Sequence, residues 1–143
     1  MEPLSNVAWG SLFEVEVAAA LTNMGWRLVP SVGIGIGSPP KPHRFDLADQ
    51  TARVAVECKA FTWTSGGNMP SAKITTAREA VLFLQWLPVD WTKILAMSQS
   101  VRPRYRESLA EYFVRLNDHL LGDVAVIEVA DQQTRLLYGQ LDQ

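Results

Sequence analysis

The chain has 143 residues, the common size of one folding unit, and its 48% hydrophobic and 20% charged residues exclude a disordered protein. The single cysteine, Cys58, excludes an internal disulfide, and no apolar run approaches the roughly 18 residues of a membrane span. A net charge of −2 and a pI of about 5.6 count against broad affinity for polyanions, although a local basic patch is compatible with an acidic total.

Residues 6–24 carry Trp9, Phe13, Val17, Ala20, Leu21 and Met24 at helical spacing, with Gly25 placed to end the helix. Residues 26–32 read as a short strand. The glycine- and proline-rich stretch 33–43 is expected to be a turn or loop. Residues 44–48 and 53–61 form a predicted hairpin around the polar turn 49–51. Along its second strand Val54, Val56, Cys58 and Ala60 share one face. Arg53, Ala55, Glu57, Lys59 and Phe61 share the other, because strand side chains alternate.

A loop over 62–70 leads to a helix over 71–87, in which Ile74, Ala77, Val81, Leu84 and Trp86 are apolar and Pro88 prevents continuation. Residues 93–98 read as a strand. Residues 104–121 read as an amphipathic helix striped by Tyr105, Leu109, Tyr112, Leu116 and Leu120 and ended by Gly122. Residues 123–129 form an apolar strand and 134–138 a final one. This order predicts one α/β domain over residues 1–143, with a mixed central sheet flanked by helices: helix-strand-strand-strand-helix-strand, then a further helix and strand. The N-terminal residues show no basic start and no apolar core of a signal peptide, so a cytoplasmic protein with no membrane partner is expected.

Chemistry concentrates at Asp46 and at Glu57-Cys58-Lys59. Glu57 and Lys59 are two apart on a strand and project from one face, and Asp46 lies on the partner strand, close enough to bring its carboxylate to Glu57. Neighbouring carboxylates repel unless a proton or cation relieves them, and a hard divalent ion does so with oxygen ligands while keeping waters. A lysine beside them suits the orientation of a water and the stabilisation of charge on a phosphate. Cys58 points to the opposite face and reads as a small buried hydrophobe, not a nucleophile.

This arrangement resembles the PD-(D/E)xK nuclease superfamily, which includes restriction endonucleases and Holliday-junction resolvases. Gly10 and Glu14 match the glycine and glutamate, four apart, of the superfamily's leading helix, and the similarity covers roughly residues 6–98. Phe45 stands where the proline of the motif usually precedes the aspartate. Helical periodicity alone does not separate Glu14 from Glu16; the choice of Glu14 rests on the resemblance. What it implies is a restriction-endonuclease-like core and a phosphodiester-hydrolysing enzyme, most simply a DNA endonuclease. Asp46 and Glu57 would hold Mg²⁺, with Mn²⁺ as a substitute, Lys59 would be the catalytic lysine, and Glu14 would complete the site. With no separate recognition domain in view, specificity would come from a homodimer or a partner protein. The alternative is a catalytically silent module of the same fold that binds nucleic acid or a protein.

Lys41, Arg44, Lys73 and Arg78 flank the motif segments and are candidate phosphate contacts, and Trp63 is a candidate to stack on a base. Arg102, Arg104 and Arg106 form a second basic group. Gly33-Ile34-Gly35-Ile36-Gly37 is not a nucleotide loop, since Pro39 and Pro40 stand where the phosphate-binding helix would begin. His43 and His119 are too few for a zinc set; His43 is near enough to Asp46 to line the site and is not expected to be catalytic.

Overall fold

The structure, a computed structural model, describes residues 6–102 and 104–141. Helix α1 (Asn6–Ala20) runs into a short 3-10 turn at Thr22–Met24, closed by Gly25 in the left-handed conformation (φ 83°), whose N–H donates to the Thr22 carbonyl. Then follow β1 (Val29–Ile36), β2 (Lys41–Asp49), β3 (Val54–Lys59), α2 (Ser71–Gln85), β4 (Thr92–Ser98), β5 (Val101–Arg102), β6 (Glu107–Ser108), α3 (Leu109–Asn117), β7 (Ala125–Ala130) and β8 (Gln133–Tyr138). The principal sheet has the order β1-β2-β3-β4-β7-β8. Its centre, β3-β4-β7, is parallel, and antiparallel pairs flank it on both sides. The chain is thus an α/β protein with a mixed six-stranded sheet. Among the described residues no helix is long and apolar enough to cross a membrane.

Strand alternation divides the core into two layers. Leu47, Val54, Val56, Ile94, Ala96, Ile127 and Val129 form one face, which takes Phe13, Val17 and Leu21 of α1. Phe45, Ala48, Ala55, Leu95, Met97 and Val126 form the other, covered by Ile74, Ala77, Val81 and Leu84 of α2 and Leu109 and Phe113 of α3. Cutting the fully buried Phe113 to alanine removes packing worth about 3–5 kcal/mol.

Two expectations need correction. Residues 33–43 are not a loop: β1 extends to Ile36 and β2 begins at Lys41, so only residues 37–40 turn. Val32, Ile34 and Ile36 alternate toward the α2 layer, a period-two pattern that outweighs the strand-weakening glycines between them. The helix expected over 104–121 begins only at Leu109. Residues 104–106 turn, and β5 and β6 pair as a small ribbon. The helix starts where Ser108 Oγ accepts from the Glu111 N–H (3.0 Å) and the Glu111 carboxylate accepts from the Ser108 N–H (2.9 Å), a reciprocal cap. Its buried residues are Leu109, Ala110, Phe113 and Asn117, while Tyr105, Leu116 and Leu120 are exposed.

The hairpin between β2 and β3 is irregular. The two strands pair from Asp49↔Val54 to Leu47↔Val56 and no further, although both continue. At the same level the β1–β2 register skips from Pro30↔Leu47 to Val32↔Phe45 past Ser31, which has φ 59°. The sheet therefore opens beside Asp46 and Glu57.

Candidate active site

Where a ladder stops, its buried backbone groups need other partners. Here side chains supply them. Asp46 Oδ2 accepts from the Cys58 N–H at 2.8 Å, and the Asp46 N–H donates to Glu57 Oε1 at 3.3 Å. Each acid is thereby tied to the opposite strand, and the two carboxylates are held together at the mouth of the parting.

Glu57 is only 6% exposed. Burial, then the Asp46 charge, push its carboxyl up to about 8; Lys59 and the Asp46 N–H pull the other way, and Glu14 adds to the rise. Glu14 itself is raised, first by burial and then by Asp46. The four residues singled out from the sequence, Glu14, Asp46, Glu57 and Lys59, thus form one electrostatic group drawn from α1, β2 and β3. Between Glu14 and Glu16, it is Glu14 that shares a field with both other acids. Lys59 makes no ion pair within 4.0 Å among the described residues, so its ammonium is not neutralised by direct contact. Burial holds the Cys58 thiol well above its ordinary range, with Asp46, Glu14 and Glu57 adding to the effect, and a protonated thiol is a poor nucleophile.

Asp46 and Glu57 offer carboxylate oxygens to a cation. That chemistry suits a hard ion such as Mg²⁺ or Mn²⁺ that retains several waters, and not a four-ligand zinc site. Among the described residues there is no group of three or more His, Cys, Asp or Glu side chains arranged to hold a metal ion.

His43 belongs to this group more closely than its sequence position suggests. Its Nε2 lies 3.5 Å from Glu57 Oε1. The ring stacks on Phe83 of α2 (centroids 3.9 Å apart, 18° between planes) and meets Phe45 edge-on at 4.6 Å. Burial lowers its pKa against the opposing pull of Asp46 and Glu79, with Lys59 acting in the same direction as burial.

The outlying candidates scatter. Lys41 is exposed at the start of β2, and Arg44 is exposed with Nη1 donating to the Ser31 carbonyl at 2.7 Å. Lys73 lies 5.8 Å over the Phe61 ring, which places it near the end of β3. Arg78 donates from Nε to Asn117 Oδ1 at 2.8 Å and ties α2 to α3. Trp63 is not a free stacking platform. It is buried, its indole N–H donates to the Ser100 carbonyl, and its ring is occupied by Tyr112 and Arg102. Arg102 is likewise engaged, against Trp63 and Tyr105 and with Glu107. No family model, no curated protein and no solved structure matches this chain.

Proposed function

We propose that the protein is a metal-dependent nuclease with a restriction-endonuclease-like core, hydrolysing phosphodiester bonds, with DNA the favoured substrate. The observation that carries this reading is the Asp46–Glu57 pair. Two carboxylates are held together where the strands part, one of them buried with its pKa pushed up to about 8, and Lys59 stands close enough to oppose that shift. Neighbouring acids that repel are relieved by a proton or by a cation, and a cation is what a phosphodiester hydrolase needs there.

In this reading Asp46 and Glu57 would hold Mg²⁺ or Mn²⁺ through their oxygens, and the ion would supply Lewis acidity to the phosphodiester. Lys59 orients the attacking water and offsets the negative charge that grows on the phosphate. Glu14 adds a further acceptor at the rim of the site. Water adds to phosphorus, the P–O bond to the leaving oxygen breaks, and that oxygen ends protonated. A second copy of the chain or a partner protein supplies sequence or structure specificity.

The test is cleavage of a panel of duplex, junction, flap and single-stranded DNA with Mg²⁺, Mn²⁺ or EDTA, comparing wild type with Lys59→Ala. The expected outcome is metal-dependent cutting that the substitution abolishes while the melting temperature stays put. The lack of a three-ligand group among the described residues favours a second reading, a silent module of the same fold that binds nucleic acid or a protein. Wild type that cuts nothing, and binds neither Mg²⁺ nor Mn²⁺ by calorimetry, selects it.

A further inference from the structure

Position 43 is an aromatic position by every packing criterion. It lies two residues before the buried Phe45 on the same face of β2, its ring stacks on Phe83, and its edge contact is with Phe45. A phenylalanine would satisfy those contacts equally well. The two ring contacts fix the plane of the imidazole and so the direction of its nitrogens. Nε2 is shielded from solvent and has no hydrogen-bond partner. Buried polar atoms are almost always partnered, so the exception needs a reason.

The nearest acceptor is Glu57 Oε1, at 3.5 Å. That oxygen also accepts from the Asp46 N–H. The Asp46 N–H and His43 Nε2 therefore both face one oxygen of a buried carboxylate, and among the described residues the other oxygen, Oε2, makes no hydrogen bond. A movement of about half an ångström brings Nε2 into normal hydrogen-bond range.

We infer that His43 is a positioning residue: its Nε2–H holds Oε1 of Glu57 so that Oε2 is presented to the divalent cation. The inference rests on the nuclease reading of the Asp46–Glu57 pair. Groups that hydrogen-bond a metal's ligands orient them, and their loss weakens metal binding by about 10- to 100-fold. The 3.5 Å separation is longer than a formed hydrogen bond.

The experiment is Mn²⁺ calorimetry at a single pH on wild type, His43→Phe and His43→Gln, with thermal melts of each metal-free protein. His43→Phe keeps the ring contacts and removes the donor; it is expected to lose about 10- to 100-fold in Mn²⁺ affinity with an unchanged or raised melting temperature. His43→Gln carries an amide N–H to nearly the position of Nε2 and is expected to regain most of the lost affinity. Wild-type affinity in His43→Phe overturns the positioning role and leaves the nuclease reading standing. Equal losses in both variants with equal falls in melting temperature also overturn it, because the histidine is then only packing. Should His43→Phe not fold, His43→Gln decides alone: near-wild-type affinity supports the role and a loss on the scale predicted for Phe ends it. Wild type that binds no Mn²⁺ removes the nuclease reading and this inference together.

Discussion

Two glutamates in the same sheet face the same layer and have opposite surroundings. Glu57 on β3 pairs in register with Leu95, and Glu128 on β7 pairs with Met97; both are almost fully buried on the side covered by α2 and α3. Glu128 Oε1 receives Arg135 at 2.7 Å and Gln99 at 3.3 Å. Glu57 has a histidine at 3.5 Å and a second carboxylate for neighbours, and its pKa is pushed up to about 8. A buried acid with a guanidinium against it joins strands. A buried acid set against another acid is left in want of a proton or a cation. The difference lies in what each meets across the sheet, since both are glutamates with apolar residues beside them in sequence.

The sharpest way to break this contrast is to remove each acid's charge. Asp46→Asn is expected to lower kcat/KM for DNA cleavage by about 100- to 1,000-fold or more, on the scale of losing one preorganised electrostatic group. Glu128→Gln is expected to leave it within about threefold of wild type, since Glu128 acts only on the fold. Comparable losses in the two variants would mean that the site reaches across the sheet and the distinction is false.

Arg135→Ala reverses the experiment by giving Glu128 the surroundings of Glu57. It is expected to cost about 1–3 kcal/mol in denaturant unfolding, the range for a charged hydrogen bond lost from a buried partner, with cutting unaffected. Arg135 is half exposed, which points to the lower part of that range. A cost near zero would show that Glu128 finds water or a proton as readily as Glu57 does.

The pH dependence of the metal-free protein separates the two kinds of acid. In the unfolded chain Glu57 loses its proton near 4.5, while in the folded protein it keeps it to about 8, so the folded state binds more proton between those values. Its contribution to stability is complete below about 4.5 and is lost as pH rises through about 8. Asp49, Glu107 and Glu111 have lowered pKa values, held down chiefly by the Ala52 N–H, by Arg115 and by the Ser108 N–H respectively, and they act in the opposite sense, losing their contribution as pH falls into the acid range. Unfolding at pH 5, 7 and 9 is expected to show the alkaline loss in wild type and a flatter profile in Glu57→Gln. Saturating Mn²⁺ is expected to flatten it as well, because the cation replaces the proton. A wild-type profile as flat as that of the glutamine variant would mean that Glu57 ionises in the folded protein as easily as in the unfolded chain.

The smallest expected effect concerns the rim. Lys41→Ala and Arg44→Ala are each expected to weaken DNA binding modestly and uniformly across sequences, and to reduce the salt slope by about one. Trp63→Phe is expected to leave binding unchanged, since the Trp63 ring is already covered by Tyr112 and Arg102.

Much of this framework is legible along the chain. The apolar spacing of α1 and α2 and the apolar runs of β3, β4 and β7 are strong local signals, and they recur in the structure with shifted ends. The hairpin between β2 and β3, with Asp46 on one strand and Glu57 on the other, also follows from local pattern. Elsewhere two local signals compete and the weaker-looking one wins. Val32, Ile34 and Ile36 alternate as a strand does, although the glycines between them argue for a loop. Ser108 and Glu111 spell a helix start, although Tyr105 fits a longer helical stripe whose apolar face excludes Ala110 and Phe113. The strand character of residues 41–43 is also what gives His43 its place: a histidine in a loop has no defined face, whereas one two residues from Phe45 on a strand shares its layer.

The spacing of residues along the chain sets which of them alternate or recur, and hence which faces are apolar and which strand carries an acid and a lysine on one side. Those are properties of neighbours along the chain, governed by the periods of helix and strand. Where the β2–β3 ladder stops, how α1 brings Glu14 into the field of Asp46, how Phe83 stacks on His43 beside Glu57 and how Ser100 and Tyr112 enclose Trp63 are matters of tertiary packing. Each of these depends on residues distant in sequence meeting in a close-packed interior, where the choice among equally apolar neighbours is made by shape and by the cost of leaving a buried charge alone.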